Sequence, residues 1–164
     1  MNSHMMGAAG ASAGSATLWG LVLTVHLLGM ATWIGGGAYA LFVLNPSLRL
    51  LDNTQRVSIQ LQTLKRYFLL VWHAMPLVLI SGWLMLFFRE GGFANPDWHL
   101  HAMQGLGLLM AAVFLYAFFG PFRKARRAIR PQPALFDRLR GLVTLSVFLG
   151  ILVVIDAALD HNFG

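Results

Sequence analysis

The chain has 164 residues, of which 57% are hydrophobic and only 11% are charged. This composition excludes an ordinary soluble domain, and the lack of cysteine excludes disulfides, iron–sulfur clusters and thiolate metal sites. The formal net charge is +6, but the basic residues are confined to segments between apolar runs. That placement is typical of membrane topology signals, so we expect no nucleic acid as a partner.

The N-terminal residues 1–16, "MNSHMMGAAGASAGSA", are small and polar. They lack the basic stretch of a cleaved signal peptide, and "NSHM" is typical of a cloning remnant. We therefore expect a flexible N-terminus, in which His4 has no function. A single transmembrane domain is predicted to follow at residues 17–164.

Four apolar runs follow, at residues 17–44, 68–88, 100–119 and 142–159. Each is close to the length of about 20 residues that crosses a hydrocarbon core of ~30 Å as a helix. Isolated strands cannot satisfy their backbone groups in lipid, so the runs predict helices. The expected fold class is an all-α integral membrane four-helix bundle.

Prolines and polar residues punctuate these runs. Pro46 is predicted to end or redirect the first helix, and Pro76 to bend the second. Residues 47–67 mix Leu and Ile with polar side chains, which predicts an amphipathic helix or a helical extension. Asn95 and Pro96 are typical of a helix start, a capping side chain before a proline at the first helical position.

The basic residues predict the orientation in the membrane. Only Arg89 lies between the second and third runs. Positive loops stay in the cytoplasm, so we expect both termini in the periplasm and the basic segments at anionic lipid headgroups. The basic residues between the other runs are Arg49, Arg56, Lys65, Arg66, Arg123, Lys124, Arg126, Arg127, Arg130, Arg138 and Arg140.

Three histidines lie in or near the spans. His26 is about eight residues inside the first span, where an ionisable side chain faces the bundle interior or a cavity. It is either a ligand or bonded to a backbone carbonyl or a hydroxyl such as that of Thr24 or Thr32. His101, at the outer edge of the third span, is either a ligand or hydrated, and His73 is either a ligand or locally hydrogen-bonded.

A second group of candidate ligands lies around His99. His99 and Met103 share a helix face, whereas His101 lies ~200° away, so all three bind one ion only if this segment is not helical. Asp156, in the last turns of an apolar helix, is expected to orient a histidine or to transfer a proton. On the predicted topology the outer half of the bundle collects Asp156, Asp160, His26, His99, His101 and His161.

Small and flat side chains accompany two of these histidines. On helices, His26 shares a face with Trp33, and His101 shares a face with Gly105. Small residues let helices pack closely in lipid, and they equally let a flat ligand approach. Trp33 and Gly105 are therefore expected either in helix contacts or beside a cofactor.

The stretches "LVLTVHLLGMATWIGGGAYALFVL" and "WHLHAMQGLGLLM" resemble the copper-resistance D (CopD-like) family of small bacterial membrane proteins. That family is in turn similar to the HemJ-type protoporphyrinogen oxidases. The resemblance covers about residues 17–160 and implies a multi-pass bundle in the bacterial inner (cytoplasmic) membrane. It also implies that His26 and His101 match the family's functional histidines.

The two families imply different metals. HemJ-type proteins are haem b proteins whose third span carries a histidine followed closely by a lysine. Here His101 is followed by Ala102, Met103 and Gln104, without a lysine. The missing lysine counts against protoporphyrinogen oxidation and leaves haem b binding open, while the name of the CopD-like family implies copper handling.

Three functions follow from these observations. The first is a cytochrome b-like protein with a redox or electron-transfer role, in which His26 and either His101 or His73 hold haem b beside Trp33 and Gly105. Its partners would be a redox protein or a quinone. If the protein is an enzyme, we expect a haem-dependent membrane oxidoreductase.

The second function is copper binding, transport or resistance, and the third is a non-catalytic membrane scaffold. Histidine and methionine suit copper chemically. In every case the lipid bilayer is a partner, and a homo-oligomer is compatible with the sequence. The candidate copper ligands are His26, His99, His101, Met103 and Asp156.

Overall fold

A computed structural model describes the backbone of residues 3–89, 91–94, 98–128 and 132–163, and the side chains of residues 14–89, 91–92, 94, 98–128 and 132–159. These residues form helices, turns and short loops, and no strand occurs among them. The four long helices are Ser3–Tyr39, Asn53–Phe88, Trp98–Ala117 and Pro133–Phe163, named here the first to the fourth helix. The assignment of residues 1–16 as a separate flexible segment stays a prediction.

Within the described part of the chain, four helices are long and apolar enough to cross a membrane, as the hydropathy predicted. Large apolar side chains such as Leu28, Phe88 and Phe148 are exposed on the outside of the bundle. Exposed apolar surface of this extent is unfavourable in water and is the normal exterior of a helix in lipid. The chain is therefore an all-helical, multi-pass membrane protein.

The helices form a closed antiparallel bundle. The first helix packs against the second and the fourth, and the third packs against the fourth and, less extensively, the second. Short connections join successive helices, so neighbours run in opposite directions. One end of the bundle holds residues 14–20, 89, 91–94, 98–101 and 156–159, and we call it the histidine end. The opposite end holds residues 40–60, 118–128 and 132–140, and we call it the basic end.

Pro46 does not end the helical run, so of the two predicted outcomes, ending or redirecting the helix, the first is wrong. A π-helix at Ala40–Leu44 precedes Pro46, and the Asn45 N–H bonds to the Ala40 carbonyl. A proline ring clashes with the carbonyl four residues back in an α-helix, and the wider turn relieves that clash. The chain therefore stays helical to Leu50, and Leu51 is extended. A second π-helix, Phe118–Phe122, likewise accommodates Pro121.

The second helix begins earlier than its apolar run. The side chain of Asp52 accepts a hydrogen bond of 2.8 Å from the Gln55 N–H and caps the helix at Asn53. Most of the amphipathic segment predicted at 47–67 is thus an extension of the second helix, which continues through Pro76 to Phe88. Gly91 and Gly92, at φ +80° and +77°, then turn the chain in a conformation that suits glycine.

Aromatic side chains fill the core toward the basic end. Trp33 is 1% exposed and packs edge-on against Phe114, with ring centroids 6.0 Å apart. Phe68 lies 4.5 Å from Phe122 between ring centroids. Tyr67 donates a hydrogen bond of 3.4 Å to the Trp33 carbonyl. These contacts join the first three helices and place Trp33 in the packed interior.

Gly29 lies at a close contact between the first and second helices. A Cβ at this position would lie 2.5 Å from the Val78 Cγ2 and 3.5 Å from the Ala74 carbonyl oxygen. Val78 is β-branched and cannot turn its methyl groups away freely in a helix. Only glycine therefore fits this position without moving one helix.

The variant Gly29→Ala is expected to destabilise the bundle by about 1–3 kcal/mol, because it overpacks this contact. The measurement is the thermal unfolding midpoint in detergent. Gly105→Ala is the matched control, since a Cβ there meets nothing within 4 Å. An equal effect of both variants would contradict the close contact, and adding Val78→Ala to Gly29→Ala should restore stability.

Candidate functional site

His26 faces the second helix. Its Nδ1 lies 3.0 Å from the Val78 carbonyl oxygen and 3.0 Å from the Ser81 Oγ. A carbonyl oxygen can only accept, so Nδ1 carries the proton of the neutral ring and Nε2 carries the lone pair. The predicted carbonyl or hydroxyl partner is thus present, but neither Thr24 nor Thr32 supplies it. Both threonines bond to carbonyls of their own helix.

Gly82 and Gln104 lie beside His26, and the sequence analysis did not single out either of them as a site residue. A Cβ on Gly82 would lie 3.2 Å from the His26 Cε1 and 3.9 Å from the Gln104 Nε2. Gly82 therefore provides the space in which His26 and Gln104, from the first and third helices, approach each other. The only sequence signal for this part of the site is the spacing of Ser81 and Gly82 after Pro76. That spacing does not identify His26 as their neighbour, because the contact depends on the register between the helices.

His73 lies away from this group. Its Nδ1 is 2.8 Å from the Leu69 carbonyl oxygen, four residues earlier in the same helix, and the residue is exposed. The second helix presents Val78 and Ser81 to His26 from its buried face. The structure therefore does not bring His73 and His26 together as a pair of ligands.

His99 and Asp156 form a hydrogen-bonded pair between the third and fourth helices. The His99 Nδ1 lies 2.8 Å from the Asp156 Oδ1, and the side chains are only 17% and 12% exposed. The carboxylate that was expected to orient a histidine does so here. The Nδ1–H donates to it, and in the neutral ring Nε2 then holds the lone pair that a metal ion requires.

The second carboxylate oxygen of Asp156 is also notable. Oδ2 is buried and has no hydrogen-bond partner among the described residues. A buried carboxylate oxygen without a partner is costly unless a cation or a proton reaches it. On the other side of the pair, the Trp98 ring lies against the His99 ring, with centroids 3.7 Å apart. The Trp98 ring therefore restricts the orientation of the imidazole.

The segment around His99 is helical, which decides which neighbours share its face. The third helix begins at Trp98, so Met103 follows one turn after His99 and is half-buried on the same face. His101 is exposed and lies on the opposite side. The three residues therefore do not bind one ion together.

The remaining predicted residues are spread over the bundle. Gly105 is exposed, with open space around its α-carbon, and Trp33 lies in the core. The side chains of Asp160 and His161 lie outside the described residues. Within the described part of the chain, no cluster of three or more His, Asp or Glu side chains is positioned to hold a metal ion. The best candidate centre is thus His99 with Asp156, flanked by Met103.

Comparison with known families identifies the region that carries this pair. The family model described as "Copper resistance protein D" matches residues 61–159, which include the pair and most of the last three helices. The first helix, with His26, lies outside the match. No curated protein and no solved structure gives a match.

Proposed function

The chain belongs to the copper resistance protein D (CopD) family, and on that premise we propose that it binds copper at the histidine end of the bundle. His99 is the central ligand. Asp156 holds its imidazole in the binding tautomer, and Met103 supplies a thioether on the same face. The observation that carries this proposal is the 2.8 Å contact between His99 and Asp156, with the second Asp156 oxygen buried and without a hydrogen-bond partner among the described residues.

The donor set fits copper. Imidazole nitrogen and thioether sulfur are ligands that copper prefers, and thioethers favour Cu(I) in particular. The chain has no cysteine to compete for the ion or to oxidise. A carboxylate bonded to the far nitrogen of a ligating histidine fixes the ring and raises its basicity. The residues present therefore suit a copper ion as cargo.

The positions of the basic residues support an assignment of the copper site to one side of the membrane. Apart from Arg89, these residues lie between the first and second or between the third and fourth apolar runs, away from His99, and positive segments remain in the cytoplasm. We place the copper site at the periplasmic face of the inner membrane, with both termini on that side. Ser81 and Ser146 are the buried polar residues of the described core. So apolar an interior favours binding at one face over conduction through the bundle.

Haem b, the first function considered from the sequence, gains less support from the contacts. A second axial ligand from His73 is disfavoured, because that ring bonds within its own helix and is exposed. Trp33 is buried in the packed core, with its ring against Phe114. Haem b and an electron-transfer role stay predictions, which the optical spectrum of the purified protein checks directly.

The variant Met103→Leu tests the copper proposal by its metal preference. Leucine keeps the volume and removes the sulfur, so Cu(I) affinity is expected to fall at least about tenfold, or about 1.4 kcal/mol. Affinity for Zn²⁺, which does not favour thioethers, is expected to change little. The measurement is competition with a coloured chelator in detergent, under reducing conditions.

Met110→Leu, at a buried core methionine two turns further along the third helix, is the matched control for that experiment. An equal loss of Cu(I) affinity in both variants would remove Met103 from the site. A dithionite-reduced spectrum of the same sample, with sharp α and β bands and no bound copper, would favour haem b instead.

A further inference from the structure

A cavity of about 320 Å³ opens at the basic end, far from the copper site. It lies between the end of the first helix, the start of the second and the start of the fourth. The π-helix Ala40–Leu44 forms one wall, where Ala40, Leu41 and Leu44 line the cavity. The proposed copper chemistry makes no use of this space.

The lining changes character with depth. Arg56 and Arg140 lie where the second and fourth helices begin, together with the amide side chain of Gln60. Toward the bundle centre the lining is apolar, with Leu64 and the buried Val143. A polar mouth over an apolar interior is complementary to an amphiphile whose headgroup stays at the membrane surface.

The charges at the mouth favour an anion. Arg56 is half-buried, and its guanidinium makes no hydrogen bond or ion pair within the described part of the chain. Arg140 lies 3.8 Å from Asp137, but both side chains are more than half exposed, so that pair is weak. Two arginines against one carboxylate leave a net positive mouth. Arginine recognises phosphate oxygens through paired N–H donors.

We propose that this cavity binds an anionic phospholipid, with the phosphate held by Arg56 and Arg140 and the upper part of one acyl chain inside. The N–H donors at the mouth suit phosphate oxygens. The apolar interior favours a phospholipid over free phosphate, because only the lipid has an acyl chain to place there. A basic pocket between transmembrane helices at the cytoplasmic side is the arrangement that binds anionic headgroups. This inference is independent of the copper proposal.

The test is native mass spectrometry of the full chain in detergent with added phosphatidylglycerol or phosphatidylcholine. We expect retention of phosphatidylglycerol over phosphatidylcholine. The double variant Arg56→Gln with Arg140→Gln is expected to lower phosphatidylglycerol binding roughly tenfold. Val57→Phe, which narrows the cavity without changing charge, should also lower it. Arg66→Gln is the control, since Arg66 is exposed on the same helix and does not line the cavity.

Three results would overturn the proposal. Equal retention of the two lipids would remove the requirement for an anionic headgroup. An equal loss in Arg66→Gln and in the double variant would assign binding to general surface charge. Displacement of phosphatidylglycerol by an equal concentration of inorganic phosphate would make free phosphate the ligand.

Discussion

The variant His99→Ala is expected to reduce copper binding by the purified protein to background. The imidazole is the only nitrogen donor of the proposed centre, and removing it leaves a thioether and a carboxylate on different helices. Neither alone holds copper tightly against water and buffer. The measurement is copper per chain after dialysis, with affinity determined by chelator competition.

The same substitution also leaves Asp156 without its partner in a site that is only 12% exposed. A buried carboxylate that loses its partner destabilises a protein, so His99→Ala by itself does not separate folding from binding. The double variant His99→Ala with Asp156→Ala removes both groups and should recover stability without recovering copper. His73→Ala is the matched control, because His73 is exposed and bonded within its own helix. Copper bound at the wild-type level by His99→Ala would contradict the proposed centre.

The variant Asp156→Ala is expected to weaken copper binding about 10- to 100-fold, the usual cost of losing a carboxylate that orients a ligating histidine. The loss arises because the His99 ring is no longer fixed by its Nδ1 contact of 2.8 Å. Asp156→Asn should cost less, since the amide oxygen still accepts from Nδ1–H but carries no charge. Chelator competition measures the copper affinities of both variants and so tests whether Asp156→Asn binds copper more tightly than Asp156→Ala.

Asp137→Asn is the control for charge in that comparison, because Asp137 is an exposed carboxylate at the start of the same helix, remote from His99. If Asp156→Ala and Asp156→Asn bind copper as tightly as the wild type, Asp156 does not act through His99. If Asp156→Asn loses more than Asp156→Ala, the amide holds the wrong tautomer.

The sequence was sufficient to predict the four helices, but it predicted less well the residues at which they begin and end. Hydropathy detects the part of a helix that lies in hydrocarbon, so the second span was predicted from residue 68, after an amphipathic helix or helical extension at 47–67, and the fourth span from residue 142. The structure starts them at Asn53 and Pro133. The helices continue past the apolar runs because apolar residues at helical spacing and capping side chains such as Asp52 stabilise the additional turns. The π-turns before Pro46 and at Pro121 have no hydropathy signal.

The candidate site was predictable by residue type and depth, but not by pairing. The sequence placed His99 and Asp156 in the same half of the bundle and expected a carboxylate beside a histidine. Which histidine it meets depends on how the third and fourth helices are rotated, and that is set by packing. The same holds for His26, whose partner Ser81 depends on the close approach at Gly29.

The most direct test of the copper centre is the X-ray absorption spectrum of the copper-loaded protein at the copper edge. We predict scattering from an imidazole ring and from a sulfur atom in the wild type, and in Met103→Leu the loss of the sulfur contribution with the imidazole contribution retained. A wild-type spectrum with neither contribution, or one that Met103→Leu leaves unchanged, would contradict copper binding by His99 and Met103.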